Sequence, residues 1–491
     1  MKIYRKILTT HIIAALLICF PLTGANAQWI GENLFGNEWI DLSKSMVRIQ
    51  VIKPGIQRIN VSDLPEGFPK KVPGQYQLWY RGKEVSIIKA DDNEILFYGL
   101  LNDGASDSLV FRPYTARLNP YISLYSDTGT YFLTYSDSPK RAEYIEAHHT
   151  ADEAKSVYYH VKKHIKTYTD QFAFPTYGIS TLLNNSFYEE SNSWTGPTIA
   201  GSQSTTDSVK DTLMSLNLSL ENWVKTDVFK PKIEFLFHGL NSGAHKLKIE
   251  VSPDNSKWRS VEEVSFAGWT GKKAKIQLEN SDISDSGKIY IRIFSTTSAS
   301  NDWFSLTYYS VEYPQRIAFF NKETQEITIP EITDEKSVKI FEADENIEIF
   351  DITNYNSIRK IEGRKSEGNS LVLSTEQIDR KSFRLLITQP SGYSTVSRQN
   401  ISLCNLSPVY TYNHSTVPGI SSPKEYDYIM IATSKLMDAA IQYAEYRSSE
   451  SGGGHKVLLM NIRDIYDLFN YGEPSPVAIR SFVKYMLKDG V

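Results

Sequence analysis

Between Gln28 and Tyr410 apolar and polar residues alternate in short runs, each closed by Gly, Pro, Asn, Asp or Ser. A two-residue period places successive side chains on opposite faces of a strand, so such runs can bury one face and wet the other. The chain is therefore expected to be multidomain and mainly β. Aromatic residues at 12%, with 30 Tyr, suit pleated, half-buried surfaces. The charge balance is −4, which excludes bulk electrostatic binding of nucleic acid. Two Cys in 491 residues give no disulfide framework, so stability must come from large cores.

Residues 1–27 have the three parts of a secretory leader. Lys2, Arg5 and Lys6 precede the apolar run Ile12–Leu22, which is too short to span a bilayer. Ala25 and Ala27 form the small-residue cleavage site, and Gln28 then begins the mature chain. Phe20 and Pro21 follow Cys19, which does not suit lipid anchoring. Cleavage makes the chain more acidic and leaves Cys404 as its one thiol. No later stretch is long and apolar enough to cross a membrane as a helix.

Three β regions are expected, at 28–145, 146–318 and 319–410. In the first, Met46–Ile52 and Ile56–Val61 flank the turn Lys53-Pro54-Gly55 as a hairpin. Tyr121–Tyr125 and Thr130–Tyr135 read as a second hairpin. The second region has strand signals at about ten-residue spacing, as in a sandwich or jelly roll. Its polar stretch Tyr188–Val209 reads as an exposed loop. A linker follows the third region at 411–424.

After Lys424 the period changes. Asp427–Ala432 and Lys456–Met460 are short apolar strands. Ser434–Tyr446 carries a helical stripe with Ser434 as its N-cap, and Ile462–Phe469 and Ser475–Leu487 read as further helices, with Pro476 at a start. This order implies parallel strands. Two parallel strands are fewer than such sheets normally have, so the last domain, 425–491, is expected to be incomplete.

Candidate chemistry is sparse. Cys404 lies in an alternating run and reads as a packed strand residue; His414 is near only along the chain. His160 and His164 are i, i+4, but the setting favours a strand, where such positions stand about 13 Å apart. His148-His149 lacks supporting ligands. Gly452-Gly453-Gly454 leads from helix to strand, the wrong order for a phosphate loop. His455 begins the second strand, away from the ligand-binding ends of open α/β sheets. The productive edge is expected near Ala432-Thr433-Ser434 and Met460-Asn461. Trp194, Trp223, Trp258, Trp269 and Trp303 fall in the second β region, as core or as sugar-stacking rings. A secreted β-sandwich binding glycan or protein, with a degenerate α/β tail, is the alternative reading. No metal or cofactor motif is found.

The runs YDYIMIATSKLMDAA and GHKVLLMNIRDIYDLFNYGEPSPVAIRSFVKYM, with Asp464-Ile465-Tyr466, Phe469, Tyr471-Gly472, Pro476 and Ala478-Ile479-Arg480, resemble the opening of the gingipain-type cysteine peptidase domain. ILFYGLLNDGASDSLVF, YISLYSDTGTYFLT and DWFSLTYYSVEYPQRI resemble the β regions of the sortase-like members that serve the Por (type IX) secretion system. The resemblance implies a caspase-like α/β fold with a His–Cys dyad acting on protein or peptide substrates. It implies export to the cell surface, the outer membrane or beyond, among outer-membrane secretion components. Neither Cys404 nor His455 occupies a dyad position, so no catalytic residue is assigned within the 491 residues. Asp107-Ser108-Leu109, Asp207-Ser208-Val209 and Asp211-Thr212-Leu213 resemble the O-glycan acceptor pattern of bacteria with that system.

Overall fold

A computed structural model describes residues 35–490, apart from 148–155, 176–186, 202–211, 298–301, 320–321, 331–336, 344–345, 363–364, 367, 375–381 and 406–425. The expected leader with Ala25 and Ala27, His148-His149, His414, the expected linker 411–424 and the tripeptide Asp207-Ser208-Val209 lie outside the described residues.

The first domain packs two sheets face to face. One has strands in the order Ile401–Leu403, Val47–Val51, Gly129–Tyr135, Tyr76–Tyr80 and Lys83–Val85. The other has Ser394–Thr395, Gly55–Asn60, Glu94–Gly99 and Ile87–Ala90. In the run VRIQV, Val47, Ile49 and Val51 are buried while Arg48 and Gln50 are not. They join Ile59, Leu78, Phe97, Tyr131 and Leu133 in the core. The two strands flanking Lys53-Pro54-Gly55 do not pair as a hairpin. The turn carries the chain from one sheet to the other. Tyr121–Tyr125 is not a strand either. There Asn119 Oδ1 accepts from the Tyr121 N–H, and Ser123 Oγ accepts from those of Tyr125 and Ser126, so local side chains take the backbone donors a ladder would need.

The strand pairing is nested rather than sequential. Glu143–Glu146 lies parallel to Arg359–Glu362, and Ser156–Val157 lies parallel to Ser337–Phe341. Both short strands thus belong with Thr324–Ile329, Glu348–Asp351, Ser370–Ser374 and Phe383–Thr388, around a core that includes Ile327, Ile340, Ile349, Leu371 and Leu385. The boundary expected at 145/146 falls inside the strand Glu143–Glu146. Two strands from the region expected at 319–410, Ser394–Thr395 and Ile401–Leu403, complete the sheets of the first domain.

The chain between Tyr159 and Arg316 forms a β-sandwich inserted into this second unit. One sheet runs Tyr159–Thr167, Trp303–Arg316, Lys232–Gly239, Gly271–Gln277. The other runs Leu213–Ser219, Lys288–Ser295, Ala244–Ser252, Arg259–Ala267. Phe235, Phe237, Ile249, Ile291, Ile293 and Phe304 fill the space between them. The described part of Tyr188–Val209 is not an exposed loop. Ser193–Thr195 and Ile199–Ala200 are strands, and Thr195, Ile199 and Ala200 are buried. The polar side chains are accommodated because they bond one another: Thr195 Oγ1 lies 2.6 Å from Ser305 Oγ and accepts from Thr307 Oγ1 at 3.0 Å.

The C-terminal segment is α/β. Tyr428–Ala432 pairs in parallel with Val457–Asn461. Helix Met437–Ser448 covers Val457 and Leu459 with Ala440, Ile441 and Ala444. Helices Ile462–Phe469 and Pro476–Gly490 pack Ile465, Leu468, Phe469, Ala478 and Phe482 against Leu458 and Met460. Ser434 does not cap a helix. It lies in a 3-10 turn, and its hydroxyl accepts from the Asn461 side-chain amide. The described chain is thus multidomain and mainly β, with an α/β segment at its C-terminal end.

Candidate functional site

The C-terminal ends of the two parallel strands form one polar lip. Ala432 sits opposite Asn461 in the register. Asn461 works in two directions: Oδ1 caps helix Ile462–Phe469 by accepting from the Arg463 N–H at 2.9 Å, and Nδ2 donates to Ser434 Oγ at 2.8 Å. Thr433 and Ser434 are exposed beside it. Open α/β sheets bind ligands at this end, and these groups can donate and accept hydrogen bonds there. None of them is a nucleophile–base pair.

The other singled-out residues lie elsewhere. His455 is at the opposite end of the pair, with Nδ1 3.5 Å from an Asp427 carboxylate oxygen and its ring 5.2 Å from that of Tyr428. Gly453 and Gly454 take φ 108° and 64°, and their N–H groups donate to the Glu450 and Ser449 carbonyls. Those donors close the helix end and are not turned outward to hold an anion. Cys404 is buried against Met46 and Phe132, where burial pushes its thiol well above the usual range. It is a packing residue, since the reactive form is the thiolate. His160 is fully buried with Nε2 3.0 Å from Gln315 Oε1, and His164 lies four residues along the same strand. Among the described residues no group of three His, Cys, Asp or Glu suits a metal ion.

The five tryptophans are all part-buried. Trp194 donates to the Leu124 carbonyl at 3.0 Å, and Trp223 packs on the sandwich core. The Arg292 guanidinium covers the Trp258 ring at 4.3 Å. In Asp107-Ser108-Leu109, the buried Asp107 carboxylate accepts from Ser123 Oγ at 2.8 Å and the Leu124 N–H at 2.7 Å, and burial raises its pKa. Ser108 Oγ donates to the Ala105 carbonyl at 2.9 Å.

Sequence reasoning missed the seam that holds the α/β segment on the first domain. Arg81 reaches Glu473 with Nε to Oε1 at 2.8 Å and also bonds Asn102 and Asp103. Glu473 is fully buried, and burial raises its pKa against the pull of Arg81. Asp467 accepts from both Arg48 and Arg463. Trp39 stacks on Tyr471 at 6.1 Å, and Arg480 donates to the Leu109 carbonyl at 2.9 Å. The partners that join the two parts, Arg81 and Glu473, Arg48 and Asp467, Trp39 and Tyr471, and Arg480 and Leu109, are hundreds of residues apart along the chain, so spacing gave no signal for them. Breaking one such buried pair typically costs about 3–5 kcal/mol, because the remaining charge is stranded.

Residues 421–490 match the family model of peptidase family C25. No curated protein matches the chain. Among solved structures, the crystal structure of dimeric latent PorU from Porphyromonas gingivalis is similar over 91% of this chain and 40% of that one, at 15% identity and a TM-score of 0.57. The xylan-binding domain CBM22-1 of Paenibacillus barcinonensis Xyn10C matches 21% of this chain and 64% of its own, at 14% identity and a TM-score of 0.16. This chain thus spans two fifths of the PorU chain that it matches. Residues 421–490 are thus similar to peptidase family C25, on a β-rich chain that shares its fold with PorU.

Proposed function

We propose that this chain is the N-terminal portion of an exported gingipain-like cysteine endopeptidase, of the type IX secretion sortase kind that removes C-terminal sorting signals from cargo proteins. The observation that carries this reading is the family C25 match at 421–490 on a chain that otherwise shares its fold with PorU. The β domains act as the scaffold that fixes the α/β segment through the Arg81–Glu473 and Asp467 contacts. The lip at Thr433, Ser434 and Asn461 borders the substrate cleft and supplies hydrogen bonds to a peptide backbone. The nucleophilic Cys and its His partner lie outside these 491 residues. The working location is the cell surface or outer membrane, next to secretion components.

The test is genetic. A strain lacking the gene should accumulate cargo that retains its C-terminal sorting signal, read by intact mass of surface proteins. Complementation with the whole reading frame should restore cleavage, and the same frame with its family-motif Cys changed to Ala should not. Normal cargo masses in the deletion strain would sink the reading.

A further inference from the structure

Strand Tyr159–Thr167 is the terminal strand of its sheet, paired on one side with Trp303–Arg316. Alternate N–H and C=O groups of such a strand face away from its neighbour and can template another strand. Residues Lys163 to Lys166 along it are exposed. The run YHVKKHIKT holds three Lys and two His and no acid. Its two sides are occupied differently. Lys163 has an acid partner, Glu312, at 3.0 Å. Lys162 and His164 lie opposite Tyr313 and Val311, which belong to the sandwich core. The two basic side chains therefore sit on the side where the neighbouring strand is apolar.

They line a slot of about 250 Å3 with Asn217, Ser219 and Tyr309, between this strand and Leu213–Ser219, the terminal strand of the opposite sheet. Burial lowers the pKa of both, and Lys322 adds repulsion at Lys162 while Lys162 and Lys166 add it at His164. The nearby acids are engaged elsewhere. Glu326 bonds Arg384 at 2.8 Å and Tyr98 at 2.5 Å. Glu221, on the exposed rim of the slot, lies 3.9 Å from Lys322. Among the described residues neither Lys162 nor His164 has a carboxylate partner in an ion pair. Thr324–Ile329 packs against this strand, and the exposed stretch Lys163 to Lys166, beside a slot that holds the Lys162 ammonium and the His164 imidazole, is complementary to an extended segment carrying carboxylates at alternate positions.

We propose that this edge binds an extended acidic peptide segment as an added strand, with one carboxylate seated in the slot between Lys162 and His164. Specificity comes from charge, because the lysines of the edge disfavour neutral or basic strands. The proposal is independent of the peptidase reading, since it needs no cleavage.

The experiment is fluorescence anisotropy on the folded chain with a labelled peptide that alternates Glu and Thr. Saturable binding is expected, weakening as salt rises. The double variant Lys162→Glu, His164→Glu should bind it at least about tenfold less tightly, and should instead bind the matching Lys–Thr peptide. That exchange of preference separates loss of the site from loss of fold. Lys275→Glu, on the far terminal strand of the same sheet, should leave the affinity unchanged. A Glu–Thr peptide N-methylated at alternate residues should bind at least about tenfold less tightly, because it cannot pair with an edge. Absence of saturable binding overturns the proposal. So does equal binding of the Lys–Thr peptide, or competition by acetate as strong as by the unlabelled peptide, which would mean a small-anion slot only.

Discussion

At the scale of single residues, the buried histidines of the inserted sandwich make a testable difference. His238 is fully buried, with Nδ1 2.5 Å from Thr307 Oγ1 and Nε2 3.1 Å from the Glu190 carbonyl, and burial lowers its pKa to about 4. His160 is likewise held at about 4, by burial first. A histidine with a depressed native pKa binds its proton later than the unfolded chain does as pH falls. The unfolded state therefore gains protons first, and stability declines from about pH 6.5 toward pH 4. Each group contributes on the order of 3 kcal/mol at most across that window. Urea unfolding at pH 7 and pH 5 should show a lower midpoint at pH 5, and His238→Gln should shrink the difference. An unchanged difference in that variant would rule out His238 as its source. Cys404 was legible as a packing residue from its alternating run, and the structure places it against Met46 and Phe132. Ser434 was not legible. Its role depends on Asn461, which the parallel pairing brings alongside.

At the scale of elements, the loop after helix Ile462–Phe469 is what fastens the α/β segment. Gly472 takes φ 75°, and a Cβ there would come within 2.4 Å of Thr130 Cγ2 and 2.9 Å of Phe132 Cζ. Gly472→Ala adds left-handed strain of roughly 1–2 kcal/mol and a clash with the first domain. The variant should keep its sheets but show faster amide exchange across 426–490. Exchange as slow as in the unchanged chain would mean that the loop does not fasten the segment. The helices and strands of this segment were readable from period and from Pro476, because their stripes are local. The apparent hairpin at Lys53-Pro54-Gly55 was misleading, since a turn signal does not say which strand each arm will pair with. Tyr121–Tyr125 had a strand-like pattern, but Asn119 and Ser123 claim its backbone donors.

At the scale of the molecule, the nesting has consequences for dissection. Tyr159 and Arg316 are directly paired, so the sandwich enters and leaves its host at one place. Excised at these residues, the sandwich should fold alone, because its core is its own. Residues 35–145 alone should not, because that piece lacks Ile401–Leu403 and Ser394–Thr395 from its two sheets. Circular dichroism with cooperative urea unfolding distinguishes the two fragments; a cooperative transition in 35–145 would refute the nested assignment.

By itself the sequence determined the periodicities: β alternation to about residue 410, a βαβα order after 424, and no helix-length apolar run past residue 27. These are local properties, fixed by which face of each element must leave water. The tertiary structure alone decided which strands pair across hundreds of residues, which domain interrupts which, and that Arg81 meets Glu473. Partners so far apart leave no period or spacing to read. Their meeting is set by the packing of whole domains.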